Sequence, residues 1–226
     1  KKYQPNATIF KMGAPTIRWV GNEDGVAPYP CWNTAKDARL SMFTDDTVKW
    51  HLDTPHWFPA ECDVPIRRRQ WFWHPKTEHN LLSLEDLKDI YYRSIGHGTN
   101  LLLNVAPDDR GLIPDIDAKR VAEFGDWIKD TFSNPIKEIS GEGNELEIVL
   151  DCPAEIAHII LMEDIEYGER IRDYVLEYKE ADKWTELVHG SAIGHKKIDR
   201  FEPIAMGHVR LRILEAADRP IIKKFA

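Results

Sequence analysis

Asn100-Leu101-Leu102-Leu103-Asn104-Val105 is the stretch that decides the fold class. Its apolar residues fall on both faces of an extended chain instead of alternating, the pattern of a parallel strand covered on both sides. Pro107-Asp108-Asp109-Arg110-Gly111 turns out of it. On the N-terminal side, Ser83-Leu84-Glu85-Asp86 opens a helix with an acid three residues after the serine. Leu84, Leu87, Tyr91 and Ile95 then form one apolar stripe, and Gly96 and Gly98 end it. On the C-terminal side a second helix runs from about Asp117 to Phe132 and buries Val121, Phe124, Ile128 and Phe132. Earlier in the chain, Ala7-Thr8-Ile9-Phe10 suits a short buried strand, and His56 to Asp63 a second one with polar groups at its end. A long irregular loop joins them from Val26 to Lys49, and another loop follows with Trp71-Phe72-Trp73-His74-Pro75. Strand, loop, strand, loop, helix, strand, helix is the order of the later half of an α/β barrel.

After Asn134-Pro135 the period changes. Leu146, Ile148 and Leu150 alternate, as do Tyr174, Leu176 and Tyr178, and Val209, Leu211 and Ile213, with Gly or Asp turns at intervals of roughly ten residues. This is a β-sandwich pattern. The fold class is therefore α/β plus all-β, with residues 1–134 as the C-terminal half of a (β/α)8-like barrel and 135–226 as the sandwich.

Composition narrows the partners. The 226 residues carry a formal charge of −8, and the one dense basic run is Arg67-Arg68-Arg69, which argues against nucleic acid. No stretch approaches the roughly 18 apolar residues of a membrane span; Ile159-Ile160-Leu161-Met162 reads as a buried strand. Cys31, Cys62 and Cys152 are too scattered for a disulfide scaffold and leave the compartment open. Eight tryptophans often accompany ring-stacking surfaces.

The chemistry concentrates in Ile17-Arg18-Trp19-Val20-Gly21-Asn22-Glu23-Asp24-Gly25, which sets two carboxylates, an amide and an indole around two glycines. A carboxyl group held against an aromatic wall loses hydration in its charged form and can keep a proton near neutral pH. Glu23, a few residues from Trp19, is the candidate, and a solvated polar loop is the plainer alternative. A glycosidase needs a second carboxylate, about 5 Å away for retention and about 6.5 to 9.5 Å for inversion. Asp24, Glu61 and Asp63 are available; Glu61 ends a strand on the face where barrel active sites gather, or it is solvated or paired with one of Arg67 to Arg69. His51, His56, His74 and His79 stand at spacings of five, eighteen and five residues, which match no metal motif. Trp57, Trp71 and Trp73 offer flat faces to sugar C–H bonds or belong to the core. Neither a nucleophile elbow nor a phosphate-binding glycine loop is present.

Four of these stretches, in this order, carry a resemblance: Arg18-Trp19-Val20-Gly21-Asn22-Glu23; Pro59-Ala60-Glu61-Cys62-Asp63-Val64; Trp71-Phe72-Trp73-His74-Pro75; and Asn100 to Asp108 with Gly111 and Ile113. Together they resemble the C-terminal part of the family 29 glycoside hydrolases, the α-L-fucosidases. Arg170 through Trp184 to Phe201 resembles the discoidin-like, galactose-binding-like sandwich that often follows that barrel. Where the family often shows Arg-Pro-Gly before the Trp-Phe pair, this chain has Arg67-Arg68-Arg69-Gln70.

The resemblance implies an exo-acting, retaining hydrolase of terminal α-linked fucose. Members with the Gly-Asn-Glu loop tend to act on α-1,3 and α-1,4 branches of glycans. By position Glu23 is the acid/base, Arg18 and Trp19 shape its loop, and Trp57, Glu61 and Trp71 lie near the sugar. The nucleophile would be an aspartate in a Trp-x-Asp-Gly motif; that motif is not in this sequence and is expected upstream of Lys1, so the 226 residues alone are expected to be inactive. The partner implied is a fucosylated oligosaccharide or glycoconjugate, with no metal or organic cofactor, in a periplasmic, extracellular or lysosomal setting. Two further readings remain: a non-catalytic carbohydrate-binding protein, and a metal-dependent hydrolase using the loop histidines.

Overall fold

A computed structural model describes residues 3–10, 16–39 and 49–226, with the backbone alone between 35 and 56. The protein is mixed α/β and divides into two compact units. The first comprises Lys1–Pro28, Asn33–Ser94 and Thr99–Asn134; the second comprises Tyr29–Trp32, Ile95–Gly98 and Pro135–Ala226.

In the first unit the elements run β1 (Arg18–Trp19), β2 (Thr34–Arg39), β3 (Lys49–Trp57), β4 (Ala60–Pro65), α1 (Leu84–Arg93), β5 (Asn100–Asn104) and α2 (Asp115–Phe132). β1, β4 and β5 form a parallel sheet with β4 in the middle. Its sequence explains that place: Ala60, Cys62 and Val64 are buried on one face, while Glu61 and Asp63 alternate onto the other. Register then fixes their neighbours, Trp19 and Asn100 beside Glu61, and Leu102 beside Asp63.

Several sequence readings shift. The strand expected at Ala7 to Phe10 is replaced by an isolated Phe10–Ile17 bridge, because the main chain of Ile9 is closed on Thr16 and Ile17; β1 follows directly. The strand expected from His56 begins instead at Ala60. Pro59 has no N–H to pair, and Asn33 spans it, accepting from Phe58 N at its main-chain oxygen and from Ala60 N at Oδ1. The irregular loop expected from Val26 to Lys49 contains β2, which pairs antiparallel with β3; residues 40–48 lie outside the described part. In β5, Leu102 is 42% exposed and shares the face of Glu61 and Asp63.

Helix α1 starts on a complete capping box, with Asp86 N donating to Ser83 Oγ and Ser83 N to Asp86 Oδ2. It stops at Arg93, earlier than Gly96 suggests, because the Ser94 hydroxyl donates back to the Ile90 carbonyl. Helix α2 packs on α1 through an aromatic cluster in which Trp127 stacks on Phe124 and meets Tyr91 edge-on at 5.6 Å. Phe132 stacks on Tyr91 at 5.4 Å. Val121 is exposed, since the contact lies toward the C-terminal half of α2. The front of α2 is held instead by charge: Arg67 Nε and Nη2 grip Asp117, Nη1 donates to Thr77, and the pair is nearly free of solvent.

The second unit is one six-stranded antiparallel sheet in the order β6-β11-β7-β10-β8-β9, formed by β6 (Ile139–Glu142), β7 (Glu145–Glu163), β8 (Ile171–Glu180), β9 (Lys183–Gly190), β10 (Lys197–Ala216) and β11 (Ile221–Phe225). Strands β7 and β10 are 19 and 20 residues long, longer than the turn spacing suggested. Their pairing shifts register around Pro153 and Pro203, which lack the ladder N–H. Leu161 and Phe225 from one end of the sheet share a single core with Tyr174 and Leu176 from the other. Inside it, Glu163 accepts main-chain N–H bonds from Arg170, Ile171 and Gly194; burial pushes its carboxyl up against the pull of those donors.

Removing one partner of the Arg67–Asp117 pair strands a buried guanidinium. Asp117→Ala is expected to cost about 3–5 kcal/mol in denaturant unfolding, and the double change Arg67→Met with Asp117→Leu to restore most of it.

Candidate active site

The loop after β1 is stitched to the central strand at both ends. Val20 N donates to the Glu61 carbonyl and Gly25 N to the Asp63 carbonyl, at 3.0 and 3.1 Å. Between these ties Asn22 folds the chain over, its Nδ2 donating to Val26 O and its Oδ1 accepting from Asp24 N. Gly25 closes the loop at φ +73°, where an added Cβ would lie 2.8 Å from Val64 Cγ1. Glu23 is left exposed at the tip of the turn.

The indole that reaches Glu23 is Trp71, whose Nε1 donates to Glu23 Oε2 at 2.9 Å. The aromatic wall expected at Trp19 is used elsewhere. Trp19 is buried, and its indole donates to Asp63 Oδ1 at 2.7 Å. Arg18 Nε donates to the Phe58 carbonyl. Glu61 Oε2 accepts from Asn100 Nδ2 at 2.7 Å, so the carboxylate considered as a partner for Arg67 to Arg69 is held by an amide, while Arg67 pairs with Asp117 and Arg68 with Asp86. Trp57 stands at the end of β3, 41% exposed.

The sheet face thus gathers Trp19, Glu61, Asp63 and Asn100, with Glu23 and Trp71 joined by a hydrogen bond in the loops. Glu23 and Glu61 are each held by a neutral donor, an indole and an amide. A groove of about 790 Å³ runs beside Glu23, lined in part by Asp24, Arg68, Gln70 and Asp86. The Ser83 hydroxyl, followed by Arg68, holds the Asp86 carboxyl below the usual range. His74 and His79 are exposed, and the side chains of His51 and His56 lie outside the described part. Among the described residues no three His, Cys, Asp or Glu side chains gather in a way that could hold a metal ion.

Two participants escape the sequence reading, Asn100 and Asn104. Asn104 Nδ2 donates to the main-chain oxygen of Trp71 at 3.0 Å. The signal was available: two amides four residues apart share one face of a strand otherwise made of leucine.

Glu61, expected to end a strand, is instead the second residue of β4 and Asp63 the fourth, while Glu23 stands in the loop after β1. Residues 32–131 match the α-L-fucosidase family. The chain is 30% identical to α-L-fucosidase 1 of Arabidopsis thaliana over 97% of its own length and 51% of that protein's. Among solved structures, a Bacteroides thetaiotaomicron protein assigned as an α-L-fucosidase is 37% identical with a TM-score of 0.90, covering 99% of this chain and 53% of that one. A family 29 fucosidase of Ruminococcus gnavus, solved with fucose, is 25% identical with a TM-score of 0.81, covering 97% of this chain and 52% of that one. The chain is thus similar over nearly its whole length to α-L-fucosidases of glycoside hydrolase family 29. It spans about half the length of the curated relatives it matches.

The glycine that closes the Glu23 loop is separable from glycines that merely turn the chain. Gly111 also has a positive φ, +78°, but nothing lies within 4 Å of its Cβ position. Gly111→Ala is expected to cost roughly 1–2 kcal/mol through its backbone alone, and Gly25→Ala a further ~1–3 kcal/mol from crowding Val64 and Ile90, read as a difference in thermal unfolding.

Proposed function

We propose that this chain is the C-terminal part of the catalytic barrel, with a discoidin-like β-sandwich, of an exo-acting retaining α-L-fucosidase that removes terminal α-1,3- or α-1,4-linked fucose from glycans. The observation that carries the reading is the Glu23 carboxylate at the tip of the loop after β1, tied through one oxygen to Trp71. In the first step Glu23 protonates the departing glycosidic oxygen; in the second, as a carboxylate, it takes a proton from water as that water attacks the fucosyl-enzyme ester. Trp71 occupies Oε2, so Oε1 is the oxygen left to carry the proton. Arg18 and Trp19 fix the base of the loop through Phe58 and Asp63. Glu61 and Trp57 are read as sugar contacts, with the groove beside Glu23 receiving the rest of the glycan. The attacking aspartate is read as a residue outside these 226, and neither step calls on a metal or cofactor.

The test uses the full-length protein with a nitrophenyl α-L-fucoside, the 226 residues alone serving as the blank. Glu23→Ala is expected to slow deglycosylation about 10²- to 10⁴-fold, the usual contribution of a general acid/base, and azide to restore part of the rate by attacking the fucosyl-enzyme directly. An unchanged rate removes Glu23 from the role.

A further inference from the structure

Both amides of β5 brace a carboxylate of the site, one directly and one at a remove. Asn100, at the start of the strand, donates to Glu61. Asn104, at its end, donates to the Trp71 main-chain oxygen at 3.0 Å, and the indole of Trp71 donates to Glu23 at 2.9 Å. We propose that Asn104 is a positioning residue for Glu23, acting through Trp71; the proposal rests on the reading of Glu23 as the acid/base.

The physical argument begins with Trp71 itself. An indole N–H points along one fixed direction in the ring plane, so where it meets a carboxylate depends on the main chain that carries the ring. Packing fixes that main chain weakly: Trp71 is half-buried, and the next residue, Phe72, is 79% exposed. Gln70 N closes a turn on Arg67, and the Thr77 hydroxyl holds the carbonyl of His74. Those bonds shape the loop on itself, whereas the Asn104 amide ties Trp71 to the parallel sheet. The sheet that carries Glu61 and Asp63 thereby also sets the orientation of Glu23, although Glu23 stands on a loop.

Loss of the indole donor frees the carboxylate to rotate, which lowers kcat; misplacement by about 1 Å costs on the order of 10²-fold.

The experiment is a double-mutant cycle in the full-length protein, with kcat and KM measured for each variant. Trp71→Phe keeps the ring and removes the donor; Asn104→Leu keeps the size and removes the amide. Each is expected to lower kcat about 10- to 100-fold, on the misplacement scale above, and to leave KM little changed. The pair together is expected to be no worse than Trp71→Phe alone, because among the described residues the Asn104 amide reaches Glu23 through Trp71. Asn104→Ala gives the same comparison if the leucine variant does not fold. Additive losses, or a loss carried by KM with kcat kept, overturn the proposal. Azide rescue of Glu23→Ala is independent of this cycle: rescue with additive losses removes the positioning role alone, and failure of rescue removes the acid/base reading beneath it.

Discussion

Everything in the first unit hangs on the alternation along β4. Ala60, Cys62 and Val64 are buried on one face, so Glu61 and Asp63 cannot join them and must stand on the other. A slip of one residue would put two carboxylates into an apolar layer, at a cost far beyond what a short strand can bear. Parallel pairing then carries the constraint outward: β1 brings Trp19 beside Glu61, β5 brings Asn100 beside it from the opposite edge, and the main chain of β4 holds both ends of the loop that carries Glu23. The polar face is thus a consequence of what the apolar face excludes.

The second unit meets its own constraint in another way. Two long strands pair along most of their length, and prolines interrupt the ladder where the register shifts. Residues from opposite ends of the sheet reach a common core, and a buried glutamate, Glu163, replaces a missing strand partner for three main-chain N–H groups. The segments Tyr29–Trp32 and Ile95–Gly98 belong to this unit although they lie far from it in sequence. Tyr29 is held there by the main chain of Ser191 and Ala192, and its ring lies 4.8 Å from Lys197 Nζ.

What could be read from the sequence was local. The capping serine of α1, the leucine-rich strand at Asn100, the alternation at Leu146 and at Val209, and the glycine-bounded turn around Glu23 all announce themselves within a few residues. What could not be read depends on partners distant in sequence. Trp71 and Glu23 are 48 positions apart, and nothing within either segment tells which of several tryptophans turns its N–H toward the acid. Trp19, the nearer candidate, is spent on Asp63. Arg67 in a run of three arginines looks like a solvated patch, yet it is buried against Asp117, because the fate of a charge is set by the helix packed on it. The Ala7 and His56 strands were misplaced by a few residues for a similar reason: turns closed by Thr16 and Asn33 override the propensity of the residues between them.

The account makes one geometric claim above the others, that a carboxylate steadied by an indole at the end of a parallel strand stands next to the bond being broken. A crystal structure of the full-length Glu23→Gln protein with an intact α-L-fucosyl disaccharide bound measures it directly. The account predicts the amide of residue 23 within about 2.6–3.2 Å of the glycosidic oxygen, with Trp71 still bonded to its other side. A disaccharide bound with that oxygen out of reach of residue 23, facing another carboxyl group, would contradict it.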